Sequence, residues 1–397
     1  MVNPVMPRKL SGRDVLVRFS ALSVVVFCIY GLLLVGDWFL AKQHPLNDGP
    51  PVDGRTTIAE LQDQGYLPFL SLGNFEKGPL KSFAADSGVA PLGSWPDTKT
   101  YYCDEGYGLT TYQSDRFGLR NEDNIWDAIP GGTMLVGDSY THGACVGDDE
   151  TIAAYLDTET PVFNLASGGN NPLHYAALLR TFGPVVAPDH LVVLITGGND
   201  YIDFGPSSTY AELFIENGVD YFETDINGDI QLSAGVQEVY WRSLESLERQ
   251  IADSGEQPSL PLRAWNSFVL HASLPFLRST SKTALDRVLP RDLASKLYGL
   301  DSLPYGTDVM LADAREVCDP SRCDLLFVYI PSRGPMSLQE SLYKDMLIQR
   351  LEGESIGFVD ATDALSSLGA AARSPRNGHL SPHGYEVVSA LISGSLQ

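Results

Sequence analysis

The chain has 397 residues, 44% of them hydrophobic and 10% aromatic, enough to bury a sizeable core and too apolar for a disordered protein. A formal net charge of −23 excludes nucleic acid and anionic membrane surfaces as partners of the folded part, since neutralising phosphates needs clustered Lys and Arg. Solubility is its simplest role.

In chain order, a basic segment (1–18, with Arg8, Lys9, Arg13 and Arg18) precedes the uncharged run "FSALSVVVFCIYGLLLVG" and the pair Trp38-Phe39. Roughly 20 apolar residues cross a bilayer as a helix, so residues 19–41 predict a transmembrane anchor with its basic side in the cytoplasm. The exit "WFLAKQ" lacks the small-x-small pattern of a signal-peptide cleavage site, which predicts an uncleaved, single-pass inner-membrane protein whose remaining residues lie in the periplasm. Residues 42–98, opening on "HPLNDGPPVDG", predict a linker and lead-in.

From 99 to 397, short apolar runs alternate with helical patterns. "TMLV" (133–136), "VFNL" (162–165), "HLVVLIT" (190–196), "LLFVYI" (325–330) and "IGFVD" (356–360) read as strands buried on both faces. Between and after them, "DDETIAAYLDT", "NPLHYAALLRTFG", "LADAREVC", "SLQESLYKDMLIQRLEG" and "HGYEVVSALIS" read as helices. The alternation predicts an α/β domain of three layers around a five-stranded parallel sheet. Residues from about 204 to 305 interrupt it as an insertion, with a hairpin around Asn227-Gly228 and then a mostly helical part. Asp225, Asn227 and Asp229 imitate the start of a calcium loop, but Ile230 and Val236 stand where that loop needs Gly and Glu. The apolar "FVLHASLPFL" within the insertion reads as that subdomain's own core, with a lid or acyl-chain surface as the alternative.

Cys28 lies in the predicted span and Cys103, Cys145, Cys318 and Cys323 outside it. In an oxidising compartment these four allow three pairings; the turn "VCDPSRCDL" favours Cys318 with Cys323 and leaves Cys103 with Cys145. Zinc-knuckle spacings are missing, and no metal or other cofactor is expected.

Ligands of an open parallel sheet sit beyond the carboxyl ends of its strands, so the polar residues after each run come next. "GDSYTHG" places Ser139 at a strand-to-helix turn, "ASGGNNP" supplies Gly168 and Gly169, and "GGNDY" supplies Asn199 and Asp200. Each alone is explained by helix capping or turn chemistry. Together they bring a hydroxyl, a glycine N–H and an amide to one sheet edge, which is what a serine nucleophile with an oxyanion site requires. "RNGHLSPHGY" (376–385) then offers a base. Pro382, between His379 and His383, disfavours the helix an i, i+4 metal pair needs. His142, three residues after Ser139, reads as a satisfied neutral histidine near the cleft.

The ordered set resembles the SGNH (GDSL-type) hydrolase superfamily, through "GDS" at 137–139, Gly169, "GGND" at 197–200 and His379, with "SDRFGLRN" as lead-in. The resemblance implies a flavodoxin-like SGNH hydrolase fold, Ser139 as nucleophile and His379 as general base. Ser139 N–H, Gly169 N–H and the Asn199 side chain become the oxyanion donors, and Asp138 a structural residue of the turn. The implied reaction is hydrolysis of an ester, with a glycan-linked acyl group the expected substrate. Acyl transfer to polysaccharide, a lipid ester substrate and an inactive assembly module are the alternatives. Family members usually carry an acid two or three positions before the histidine, where this chain has Asn377 and Arg376. Three arrangements stay open: a Ser139–His379 dyad oriented by a carbonyl, an acid from Asp360 or Asp363, or a slow or dead site.

Overall fold

A computed structural model describes residues 54–397 except 77, 79, 157–159, 199, 201–206, 225–228, 254–289, 333–335, 377 and 397. The predicted membrane anchor, the stretch "FVLHASLPFL" and the tip of the hairpin fall outside the described residues, and no helix among those described is long and apolar enough to cross a membrane.

Ten strands are described: β1 Leu67–Pro68, β2 Lys99–Tyr101, β3 Thr111–Gln113, β4 Thr133–Val136, β5 Val162–Asn164, β6 His190–Thr196, β7 Phe222–Thr224, β8 Ile230–Leu232, β9 Asp324–Ile330 and β10 Gly357–Asp360. Five of them form one parallel sheet in the order β10-β9-β6-β4-β5. Counted along the chain within that sheet, the order is 2-1-3-4-5, the doubly wound arrangement of flavodoxin-like folds, with its switch point between β4 and β6.

Strand side chains alternate between the two faces, and the core divides accordingly. Met134, Val136, Leu191, Val193, Ile195, Phe327 and Tyr329 join one buried cluster. Leu135, Val192, Leu194, Leu326, Val328 and Ile330 join the other. Helices α2 (Pro172–Val186), α4 (Tyr305–Val317) and α5 (Leu338–Gly353) cover the first face through residues such as Tyr175, Phe182, Met310 and Tyr343. Helix α6 (Pro382–Ser393) covers the second through Tyr385, Val388 and Ile392. These are the three expected layers.

Two expectations need correction. Residues 54–98 are no linker: Leu70, Leu72, Phe75, Leu80, Ala84, Leu92 and Trp95 are buried in the first cluster, and β1 pairs with β2. Their apolar residues lie on short helices and loops, so no periodicity announces them. The helix expected over 148–158 is broken, because the Thr151 hydroxyl accepts from Ala154 N at 3.1 Å and restarts it after a 3₁₀ turn. The predicted hairpin is present as antiparallel β7 and β8, followed by helix α3 (Ala234–Asp253).

The lead-in "SDRFGLRN" underpins the serine turn. The Asp115 carboxylate accepts from Phe117 N, Leu119 N, Asn121 Nδ2 and Trp126 Nε1. Asn121 pairs with the backbone of Asn164 at the end of β5. Arg120, buried, donates to Gly143 O and Val146 O and ion-pairs with Asp148 at 2.7 Å. Gly118 has φ +80 and lies so near Ser94 O that a Cβ would stand 2.1 Å from it, which only glycine avoids.

Candidate active site

β4 ends at Val136, and after Gly137 and Asp138 the chain turns into α1 (Ser139–His142). Asp138 is the helix cap: its carboxylate accepts from Tyr140 N at 2.9 Å and from Thr196 Oγ1 at 3.1 Å, tying the turn to the end of β6. Its structural role is thus as expected. A Cβ on Gly137 would fall 1.9 Å from Thr141 Oγ1, so the close turn needs glycine there.

The histidine comes from the far end of the chain. His379 Nε2 lies 2.9 Å from Ser139 Oγ. Its other nitrogen meets a group that no reading of the motif supplied: Nδ1 is 2.8 Å from Glu105 Oε1. Glu105 Oε2 accepts from His379 N at 3.2 Å and from the Ser374 hydroxyl. Burial pushes the Glu105 carboxyl upward, but hydrogen bonds from His379 and Ser374 outweigh it and hold the group below its ordinary value of 4.5. An ionised carboxylate only accepts, so the imidazole proton sits on Nδ1 and the Nε2 lone pair faces the serine.

This corrects the expectation at the acid. Asp360 is committed elsewhere, 2.6 Å from Lys344 Nζ and capping Thr362, and Asn377 lies outside the described residues. Neither a carbonyl-oriented dyad nor an acid after the last strand is what the imidazole meets. One sequence signal did point to Glu105. The predicted Cys103–Cys145 disulfide is formed, as is Cys318–Cys323, and the first ties a residue two before Glu105 to one six after Ser139. Cys145 Sγ comes within 4.0 Å of His379 Nδ1.

The two loops are stitched together beyond the triad. Arg376 N donates to Glu105 O, and its guanidinium pairs with Asp104 at 2.8 Å. Tyr140, its ring centroid 4.9 Å from that of His379, donates its hydroxyl to Gly378 O at 2.5 Å. Arg373 reaches the same carbonyl at 2.8 Å and also Pro331 O. The imidazole is therefore fixed from three sides.

Lowered folded-state values make the site acid-sensitive. Asp104, through hydrogen bonds led by Gly106 N, and Glu105 both titrate lower folded than unfolded. Their stabilisation is complete above the ordinary carboxylate range and is lost as pH falls through the depressed values. The expected result is a thermal midpoint that drops steeply below about pH 4.5, with a shallower drop in Glu105→Gln, measured by circular dichroism across pH.

Closing a 42-residue separation, the Cys103–Cys145 bridge stabilises by about 4 kcal/mol in the chain-entropy account. The double variant Cys103→Ser/Cys145→Ser is expected to lose stability of that order in urea unfolding and to lose turnover as well, since Glu105 loses its tether.

The remaining expected residues are placed as follows. Gly169 has φ +83, in the loop after β5, and Asn170 Nδ2 donates to Gly137 O at 3.4 Å, so this loop abuts the serine turn. Asn199 lies outside the described residues; beside it, Asp200 is buried and accepts from Thr196 N at 2.7 Å and the Tyr175 hydroxyl at 3.0 Å. His142 is fully buried among the rings of Phe69, Tyr102 and Tyr112, and neither ring nitrogen has a hydrogen-bond partner. It is neutral, as burial drives its pKa far down, but not satisfied as expected. His383 does not share a site with His379: it is exposed on the first turn of α6, 3.0 Å from Glu386. The ligand atoms of Glu105, Cys145 and His379 lie within 4.8 Å of one another, but that sulfur is in the disulfide and offers no thiolate to a metal.

Two roomy hollows lie away from the triad. One of about 770 Å³ is lined by Gly131, Arg180 and Asp189 at the amino ends of the strands, and another of about 940 Å³ runs between Trp95, Gln231 and Trp241. In an open parallel sheet the carboxyl ends carry the ligand, which favours the Ser139 edge over the first of these.

No family model matches the chain, and no curated protein matches it. One solved structure is similar over 68% of this chain and 98% of its own, at 11% identity and a TM-score of 0.31. The chain is also similar to a presumed lipolytic protein of the G-D-S-L family from Desulfitobacterium hafniense DCB-2, at 10% identity and a TM-score of 0.33 over 66% of this chain and 98% of that one. At such values the likeness carries no chemistry, which rests on Ser139, His379 and Glu105.

Proposed function

We propose that the protein is a serine ester hydrolase of the SGNH type. The observation that carries this is the unbroken line Ser139 Oγ, His379 Nε2, His379 Nδ1, Glu105 Oε1, with links of 2.9 and 2.8 Å. A hydroxyl, a base with the right tautomer and an ionised orienting acid are the parts of nucleophilic acyl transfer. His379 takes the serine proton as Ser139 Oγ attacks the ester carbonyl, and Glu105 stabilises the imidazolium. Ser139 N–H, at a helix start where no intrahelical acceptor exists, Gly169 N–H and the Asn199 amide receive the developing oxyanion. The protonated imidazole delivers its proton to the leaving alcohol, and water then cleaves the acyl-enzyme by the same route.

The compartment proposed is the periplasm, with residues 19–41 as an inner-membrane anchor; two disulfides among the described cysteines support an oxidising location. The substrate proposed is an acylated envelope carbohydrate. The test is a series of p-nitrophenyl esters from acetate to decanoate, with mass spectrometry of the protein after a fluorophosphonate probe. A probe adduct on Ser139 and preference for acetate are expected. An adduct elsewhere or none sinks the hydrolase, and preference for decanoate sinks the carbohydrate ester in favour of a lipid one.

A further inference from the structure

Among the described residues, Glu105, Cys145 and His379 form a cluster whose ligand atoms lie within 4.8 Å of one another, and the disulfide alone withholds its sulfur from a metal. His379 Nδ1 stands 2.8 Å from Glu105 Oε1 and 4.0 Å from Cys145 Sγ. A tetrahedral zinc, with bonds of about 2.3 Å to sulfur and about 2.0 Å to nitrogen, sets those two atoms about 3.5 Å apart, so a small side-chain turn suffices. Opening the bridge also frees Cys103 Sγ beside Cys145 Sγ, on Cα atoms 5.1 Å apart, and brings a second thiolate to the same point. Two sulfurs, an imidazole nitrogen and a carboxylate oxygen complete a four-coordinate zinc set. Other contacts keep the loops within reach of each other when the bridge is open. Arg376 pairs with Asp104 at 2.8 Å, and Glu105 Oε2 accepts from His379 N at 3.2 Å and from the Ser374 hydroxyl, which leaves Oε1 turned to the imidazole.

Opening the bridge takes two electrons from a dithiol. One of its thiolates attacks Cys103 Sγ, since Cys103 is half-buried and Cys145 fully buried, and Cys145 leaves as a thiolate facing His379 Nδ1. The second thiolate of the reductant displaces Cys103, and the reductant departs as a cyclic disulfide. Zinc takes both protein thiolates, and the two protons of the dithiol go to solvent. Metal on Nδ1 uses the lone pair of that nitrogen, so the imidazole proton moves to Nε2, 2.9 Å from Ser139 Oγ. An N–H at that position cannot accept the serine proton, and the metal holds Glu105 away from the imidazole.

We propose that the reduced chain binds one zinc ion through Cys103, Cys145, His379 and Glu105 and is silent in that state, closure of the Cys103–Cys145 bridge expelling the metal and switching the site on. The silencing rests on the ester-hydrolase assignment; the metal site does not. The experiment uses the full chain in detergent with Cys28→Ser, Cys318→Ser and Cys323→Ser, so that no other thiol competes. It is compared oxidised and after reduction by a dithiol that is then removed by gel filtration under argon. Calorimetry with zinc should give one ion per reduced chain, and cobalt(II) should give the thiolate charge-transfer band of a tetrahedral site; the oxidised chain should give neither. In the reduced chain, His379→Ala and Glu105→Gln should each weaken zinc binding by at least about tenfold with unchanged circular dichroism. Saturating zinc should cut whatever p-nitrophenyl acetate turnover the reduced chain retains by at least about 100-fold, the base holding the wrong tautomer, and a chelator should restore it. No zinc in the reduced chain, equal binding in the oxidised chain, full affinity in His379→Ala, or turnover unchanged by zinc would overturn the proposal. If the oxidised chain hydrolyses no ester while the reduced chain binds zinc through His379, hydrolysis falls and the metal site stands.

Discussion

Glu105→Gln is expected to lower kcat for p-nitrophenyl acetate by about 10³- to 10⁴-fold with little change in KM. Replacing the orienting acid of a serine triad by its amide costs about 10⁴, largely through the wrong imidazole tautomer. Here the amide can present its oxygen to His379 Nδ1, but it carries no charge to meet the imidazolium. Its amide nitrogen then replaces Glu105 Oε2, the single oxygen that now accepts from both the Ser374 hydroxyl and His379 N. The variant should remain folded, since Gln fills the same space and Arg376 still joins the two loops through Asp104. Steady-state kinetics near neutral pH, with each variant assayed well below its own thermal midpoint, is the measurement.

Ser139→Ala is expected to cost more, about 10⁵- to 10⁶-fold in kcat, because without the hydroxyl there is no acyl-enzyme and only the oxyanion donors and binding remain. Combining it with Glu105→Gln should add almost nothing further. Residues that act as one unit are strongly non-additive, so the double variant separates a triad from two independent contributions. A structural role for Glu105 alone would instead make the two losses multiply.

The sheet was legible because each central strand is a continuous apolar run bounded by Gly, Asp or Pro, and the alternation of Leu191, Val192, Val193 and Leu194 sends successive side chains to opposite cores. The meeting of Ser139 and His379 was legible because the segments that follow the strands of an open parallel sheet gather at its carboxyl edge. The acid was not. Glu105 reaches His379 across a separation of 274 residues, through a loop outside the sheet, and nothing in "YYCDEGYG" has a period or spacing that points at a histidine. Its clue was the cysteine two residues earlier, whose partner stands just after the serine turn. Residues 54–98 were misjudged for a related reason: Leu72, Phe75 and Trp95 are buried by tertiary packing of short pieces, where local pattern carries little information.

The triad is tested most directly by the rate at which a fluorophosphonate labels Ser139 in the wild-type chain, in Glu105→Gln and in Asn377→Ala. Labelling uses the nucleophile, its base and the orienting acid without needing the natural substrate. Assigning the acid to Glu105 predicts labelling slowed by about 10³-fold in Glu105→Gln and unchanged within about twofold in Asn377→Ala. Labelling of Glu105→Gln at the wild-type rate, or a large loss confined to Asn377→Ala, would contradict it and return the acid to the position before the histidine.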